Sequence, residues 1–543
     1  MYEEKNTHRD KESITNKENT HVNNGQKSDQ IIHSNIVERN SVNKSLAMIR
    51  TRTVVGVQAL PVMVEVHLAN GLPAFSTVGL PETAVKESKD RVRGAILNSG
   101  FEFPAKRITV NLAPADLPKT GGRFDLPIAI GILIASGQLL AKNCDQYEMV
   151  GELALDGQLR RVSGMLPTAL ACGQTEQQLI IPTDNAEEAA LADNTHSWHS
   201  SHLLNVCQHL VGKGDMQIAV NTKQIPTKVK CDDIADVKGQ RQAKRALEIA
   251  AAGNHSLLFV GPPGTGKSML ASRLPGLLPE LTNTEALEAA TIQSVTQGEF
   301  DVTQWKCRPF RSPHHSASAI ALVGGGSSPR PGEISLAHQG ILFLDEFTEF
   351  ARSALEKLRE PIETGKINIA RASQSVQYPA EFLLVAACNP CRCGFVGDGS
   401  GRCNCSASSI EHYRAKLSGP MLDRIDMHVK LQRVDIKTLQ TSNSSEEFSK
   451  DVRARVTKVR NAQLDSRGKL NSQLTVKDLE QYCEMDDAVM RFLQTVCNRL
   501  NMSARAYHRI IKLARTIADM EGVTEIEQQH VSEAVSFRAL DRR

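Results

Sequence analysis

The amino-acid sequence predicts an α/β nucleotide-binding core closed by a helical segment and preceded by a separate α+β domain. Three observations predict it. The stretch Gly261-Pro262-Pro263-Gly264-Thr265-Gly266-Lys267-Ser268 fits the pattern G-x-x-x-x-G-K-[ST] at every position. The apolar run Ile341-Leu342-Phe343-Leu344 ends in two carboxylates, Asp345 and Glu346. Ahead of both lies a patterned stretch that mixes strand and helix spacing, and behind them the chain reads as all-helical.

Composition bounds the rest. With 543 residues, 41% apolar and 23% charged, the chain is long enough for three or so domains with their own cores. A formal charge of +3 is nearly neutral for this length, so a DNA partner would have to be met by a local basic surface. The longest apolar run, Leu126 to Leu140, is too short to span a bilayer and is interrupted by Gly131, Ser136 and Gly137. The expectation is a cytoplasmic protein with no membrane partner, in which clustered cysteines among the twelve bind metal more readily than they form disulfides.

Residues 1–44 mix Lys, Glu, Asp, Asn, Ser and Thr without apolar periodicity and are expected to be a disordered polar tail. The first domain is placed at 45–212. Val62–Leu68 alternates as a strand, Glu82–Asn98 has helical spacing, and Ile108–Leu112 is a second strand. Leu126–Leu140 reads as a buried helix, and Met149–Leu153 with Leu159–Val162 reads as a hairpin turning at Asp156-Gly157. The polar stretch 213–230 reads as a linker.

The core is placed at 231–434. Ser256–Val260 is a buried strand leading into the phosphate loop, and Met269–Leu274 leaves it as a helix. Glycines 261, 264 and 266 let backbone N–H groups turn toward phosphates, Lys267 can reach the β/γ oxygens, and the Ser268 hydroxyl can hold Mg²⁺. ATP with Mg²⁺ is therefore the expected ligand. Asp345 can orient the ion and Glu346 can polarise the attacking water. Leu383–Cys388 is a further buried strand, ending in Asn389, whose amide can hold the lytic water or the γ-phosphate. Arg424 follows a helix-breaking Gly419-Pro420 and, in a ring, would reach the neighbour's ATP; an Asp423–Arg424 surface pair is the structural alternative. In the lid, placed at 435–543, Arg505 would bring a second guanidinium to the γ-phosphate.

Cys391, Cys393, Cys403 and Cys405 put four thiolates on one glycine-rich loop after Asn389. A structural Zn²⁺, unpaired reduced thiols and a redox pair are the three readings, zinc being preferred because four sulfurs satisfy a closed tetrahedral site.

Two families are resembled. The first domain resembles the proteolytic domain of Lon and the Lon-like domain of the recombination protein RadA through Asn111–Asp116, Pro118–Gly122 and Gly151–Gly157. That likeness implies a ribosomal S5 domain 2-like fold. Where it would put the serine nucleophile the chain reads Gly122-Arg123-Phe124-Asp125, and where it would put the lysine, after Ser163-Gly164, it reads Met165-Leu166-Pro167. A rearranged Ser163/Lys119 dyad is the remaining route to protease chemistry; retention of the scaffold without that chemistry is the adopted reading.

The nucleotide motifs resemble the AAA+ superfamily. Arg308–Ser318, Val323–Gly326 and Pro329–His338 narrow the likeness to its magnesium-chelatase-like group, which carries an insert in the second helix. Together with the Lon-like domain, the resemblance runs from Ser45 to Arg543 and is to the YifB/ComM family of competence proteins. It implies a homo-hexameric ATPase that drives branch migration of DNA during natural transformation, acting on single strands and branched intermediates beside recombination proteins. On the two inserts that would face the pore, Val323–Pro331 and Glu363–Phe382, the cations Arg330, Lys366 and Arg371 are the candidate phosphate contacts. As isolated residues they read more often as solvated surface charges, and their placement on inserts of a ring ATPase brings the two readings to about even. His314 and His315 read as packing or hydrogen-bonding residues. A metal-insertion chaperone, an ATP-dependent protease and a protein remodeller remain as rivals.

Overall fold

The computed structural model describes residues 45–141, 143–220, 231–296, 301–326, 329–371, 374–417, 419–435, 446–538 and 540. The tail expected at 1–44 and the linker residues 221–230 lie outside the described residues.

Alternating apolar residues build the first domain. Val62, Val64, Val66 and Leu68 of the strand Gln58–Ala69 are buried while their neighbours point the other way. This strand pairs antiparallel with Leu46–Val55 and with Arg107–Ala113. The full sheet has eight strands in the order Gln217–Ile218, Ser197–Ser200, Gln178–Pro182, Tyr147–Met149, Leu46–Val55, Gln58–Ala69, Arg107–Ala113, Ala74–Val78. Gln217–Ile218, inside the stretch read as linker, still pairs with Ser197–Ser200. The helix Asp125–Ala135 packs on the two longest strands and is buried almost all round. It stops five residues before Leu140, because Gly137 takes a positive φ and reverses the chain. Glu82–Asn98 is likewise split, into Thr83–Lys86 and Ser88–Asn98. The small hairpin consists of Glu152–Leu153 and Leu159–Arg160, whereas Met149 belongs to the main sheet.

The core sheet has five parallel strands in the order Phe310–Arg311, Ile341–Leu344, Leu383–Cys388, Leu257–Val260, Met427–Lys430. Val260 lies opposite Cys388, and Leu344 opposite Ala386. Parallel strands present their carboxyl ends on one edge, so Gly261, Asp345 and Asn389 leave the sheet side by side.

Five lid helices, Ser449–Arg467, Val476–Tyr482, Asp487–Arg499, Ala504–Glu521 and Gln528–Ser536, share one apolar core with this sheet, a core that includes Leu257 and Phe259 with Ile510, Ala514 and Ile517. A buried polar knot adds direction. Asp426 accepts from the Ser256 N–H at 2.9 Å and pairs with Arg509 of the lid, while His255 meets Thr516 at 2.7 Å. Burial alone would raise the Asp426 pKa; Arg509 and His255 hold it well below the usual carboxylate range.

The first domain and the core are joined at Glu188. Its buried carboxylate accepts from Leu166 N and Arg161 Nη2, each at 3.1 Å, from Asn185 Nδ2 at 3.3 Å, and from the hydroxyl of Ser294, which ends the core helix Asn283–Ser294. The Gly164 N–H also donates to the Ser294 carbonyl at 2.7 Å. Around these bonds Ala290 and Val302 of the core join Val150, Leu166 and Ile181 in one apolar cluster.

Replacing Glu188 with alanine removes the acceptor of Arg161 and of three further donors at this junction. A loss of about 3 kcal/mol or more is expected, read as a lower urea midpoint of the first transition in denaturation.

Candidate functional site

The phosphate loop is held open by its own backbone. Gly266, at φ +87°, caps the helix Lys267–Leu277 in a conformation that a side chain would strain. Thr265 Oγ1 donates to the Pro262 carbonyl at 2.9 Å and braces the turn. The half-buried Lys267 ammonium donates to the Gly261 carbonyl at 2.8 Å, the Pro262 carbonyl at 3.1 Å and Asn389 Oδ1 at 3.1 Å. Burial lowers its pKa, while Asp345, Cys388 and Glu346 oppose that shift.

Ser268 Oγ donates to Asp345 Oδ2 at 2.6 Å. A hydroxyl and a carboxylate in contact, beside an ammonium and a row of backbone N–H groups, can hold a divalent cation and a polyphosphate together. The residues singled out at 261–268, 345 and 389 are thus brought to one place.

Glu346 stands beside them at φ +50°. Its Oε2 lies 2.8 Å from His315 Nδ1, and the His315 ring packs on His314 with centroids 4.1 Å apart. Sequence reasoning assigned the two histidines to packing or hydrogen bonding and missed this partner. The signal was present in the Pro313-His314-His315 run, but only the tertiary structure shows that it faces the second carboxylate.

Arg424 and Arg505 meet elsewhere. Arg424 Nη2 is 2.7 Å and Arg505 Nη2 3.8 Å from the same atom, Glu363 Oε1. Among the described residues neither guanidinium bonds Lys267, Ser268, Asp345 or Asn389.

The cysteine loop abuts the phosphate loop. Cys391, Cys393 and Cys403 lie with sulfurs 3.4, 3.8 and 3.6 Å apart, and with Cys405 all four sulfurs fall within 4.8 Å of one another. Four Zn–S bonds of about 2.3 Å give tetrahedral S···S edges of about 3.8 Å, so these residues fit a closed zinc site. The Phe395 backbone N–H leads the causes that lower the Cys393 thiol to about 6. Cys388 differs, since burial pushes its thiol up to about 12 and it packs in the core. A Cβ on Gly394, itself at φ +85°, would stand 2.6 Å from Pro263 Cδ.

The basic inserts form one body. Arg330 lies on the small hairpin Gly324–Gly325/Arg330–Pro331, and Lys366 and Arg371 bound the strand Lys366–Arg371 that pairs with Gln374–Pro379. Tyr378 OH donates to the Pro329 carbonyl at 2.9 Å, joining the two. Arg330 and Lys366 are exposed. The turn of the first hairpin of the amino-terminal domain touches this body, with Gly56 against Val376.

Lys119 is buried and donates to the Pro114 carbonyl, Ser163 is exposed, and no hydrogen bond joins them among the described residues. Arg123, where the Lon likeness would put the nucleophile, is buried and donates to Thr168 Oγ1 at 3.0 Å. Among the described residues no helix is long and apolar enough to cross a membrane.

Three family models match. Magnesium chelatase subunit ChlI matches residues 233–439, a further ChlI model residues 64–185, and the ChlI carboxy-terminal model residues 446–538. The chain is 51% identical to the competence protein ComM of Haemophilus influenzae over 92% of this chain and 98% of that protein. It is 48% identical to the YifB protein of Escherichia coli, again over 92% and 98%. To the magnesium-chelatase 38 kDa subunit of Chlorobaculum tepidum it is 25% identical over 39% of this chain and 49% of that one.

Replacing Gly394 with alanine forces a side chain into the phosphate loop at a strained φ. With about 1 to 3 kcal/mol of strain, affinity for a fluorescent ATP analogue is expected to fall about tenfold or more, measured by titration.

Proposed function

The chain belongs to the YifB/ComM family of magnesium-chelatase-like AAA+ proteins, and from that premise we propose that it is an ATP-driven DNA motor. It works as a homo-hexameric ring that hydrolyses ATP to drive branch migration during recombination of incoming DNA. The observation that carries this reading is the separation of the arginines from their own phosphate loop. Among the described residues neither Arg424 nor Arg505 bonds Lys267, Ser268, Asp345 or Asn389, and the two stand together at Glu363. A ring joins the two halves, each subunit lending its arginines to the next.

Within that site the P-loop N–H groups and Lys267 bind the phosphates, and Ser268 and Asp345 hold Mg²⁺, which neutralises charge on the transferred group. Glu346 orients the attacking water once it leaves His315, and Asn389 fixes the γ-phosphate or that water. The exposed cations Arg330 and Lys366, with Arg371, track the DNA backbone without reading sequence. The four cysteines hold a structural Zn²⁺ that stiffens the loop against Pro263 and takes no part in the chemistry. The competence role of the Haemophilus relative agrees with a DNA client. The amino-terminal domain serves as scaffold, without a protease dyad.

The test is steady-state ATP hydrolysis with no DNA, single strands, duplex and a three- or four-way junction, each at two salt concentrations. Strong stimulation by junctions that weakens at high salt is expected. Glu346→Gln should lower the rate about a hundredfold or more. A rate indifferent to every DNA would move the reading to a protein remodeller or a chelatase-like chaperone.

Metal analysis of the purified protein is expected to give one zinc per chain, lost together with thermal stability in Cys403→Ser. Wild-type protein free of zinc would leave four reduced thiols as the reading.

A further inference from the structure

We infer that Glu363 is the positioning residue that links the basic hairpin to the arginine pair, so that the hairpin's position sets how the arginines meet a neighbour's ATP. The inference rests on the ring-shared site proposed above and goes beyond it by naming what couples the hairpin to that site.

The geometry is specific. A single carboxylate oxygen lies 2.7 Å from Arg424 Nη2 and 3.8 Å from Arg505 Nη2. Two guanidiniums this close repel unless an anion stands between them. One carboxylate supplies one negative charge against two positive charges, so the cluster keeps a net positive charge for a further anion. The γ-phosphate of an adjoining subunit is such an anion, with acceptor oxygens for the remaining N–H groups. Arg424 is held from several sides: its side chain is 10% exposed, Nη1 donates to the Pro420 carbonyl at 2.7 Å, and Nε is buried and has no hydrogen-bond partner among the described residues. Arg505, by contrast, is 58% exposed, and its ion pair with Glu363 places it beside Arg424.

Glu363 is also built into the foot of the hairpin. It is the penultimate residue of the helix Arg359–Thr364, and the strand Lys366–Arg371 starts three residues later. The foot is knit tightly. Gly365 N donates to the Pro361 carbonyl at 2.9 Å, Ala380 N donates to the Gly365 carbonyl at 2.7 Å, and Thr364 Oγ1 donates to the Lys366 carbonyl at 3.1 Å. Displacement of the hairpin therefore carries Glu363 with it. On the other side, Arg509 stands one helical turn after Arg505 and holds Asp426, two residues past Arg424. The lid helix and the 424–426 segment thus move together already. Glu363 adds the hairpin to them.

The experiment mixes full-length subunits and measures ATP hydrolysis per intact phosphate loop. Glu363→Ala alone should lower kcat about tenfold to a hundredfold, with KM for ATP and affinity for a single-stranded oligonucleotide within twofold of wild type. Glu363→Gln, which keeps a hydrogen-bond acceptor, should fall between the two. Mixed with Lys267→Ala subunits, which offer intact arginines but no working phosphate loop, Glu363→Ala should regain activity. Arg424→Ala mixed with Lys267→Ala is the control for the shared site. If the control recovers and the Glu363→Ala mixture does not, the role assigned to Glu363 is overturned and the shared site stands. If neither recovers, the shared site fails and this inference with it. Stimulation by the oligonucleotide should drop toward one in Glu363→Ala, and unchanged stimulation would remove the hairpin from the link.

Discussion

Everything at the candidate nucleotide site depends on where the Lys267 ammonium is held. It is bound by two loop carbonyls and by Asn389, a residue 122 positions later in the chain. That bond exists because the strands Leu257–Val260 and Leu383–Cys388 run parallel in register, with Val260 facing Cys388. The next strand over delivers Asp345 to Ser268 by the same rule. Sheet register does the positioning, and the side chains inherit it. A half-buried ammonium so placed, at a lowered pKa, is weakly solvated and responds strongly to an arriving phosphate.

Much of this was legible in the sequence because the pieces are local. The phosphate loop, the Asp345-Glu346 pair, Asn389 at a strand end and the four cysteines each announce themselves within a few residues. Glu363 and His315 do not. Each matters through a partner at long sequence distance, Glu363 through Arg424 and Arg505, His315 through Glu346. Glu363 sits in an Ile-Glu-Thr-Gly stretch that reads as an ordinary helix end. The first strand shows a different limit. Leu46 and Met48 lie on the exposed face of Leu46–Val55 while Ala47 and Ile49 are buried, so apolar residues on both faces blur the alternation that marked Val62–Leu68 clearly. Helix ends were misjudged for a simpler reason: Ser136-Gly137 turns the chain after Ala135 although apolar residues continue to Leu140.

The buried carboxylates divide the labour of holding the domains together. Asp426 ties the lid to the sheet through Arg509 and Ser256, and Glu188 ties the amino-terminal domain to the helix Asn283–Ser294. Both are fully engaged, which is the condition under which a charge is tolerated inside a protein. Arg123, standing where the Lon likeness would put a nucleophile, belongs to the same neighbourhood as Glu188 through Thr168. A position that could have served chemistry is instead packed inside the amino-terminal domain.

The packing of the two inserts carries a mechanical consequence. Tyr378 fastens one hairpin to Pro329 of the other, and Gly56 of the amino-terminal domain rests on Val376. A load pulling on the tip of the Lys366–Pro379 hairpin is therefore not borne by a free-swinging arm. It is shared with the neighbouring insert and with the eight-stranded sheet whose Gly56 turn rests on Val376, so the hairpin is braced as a stiff lever. A stiff lever transmits small displacements with little loss, and a hairpin only six residues long per strand has small displacements to transmit.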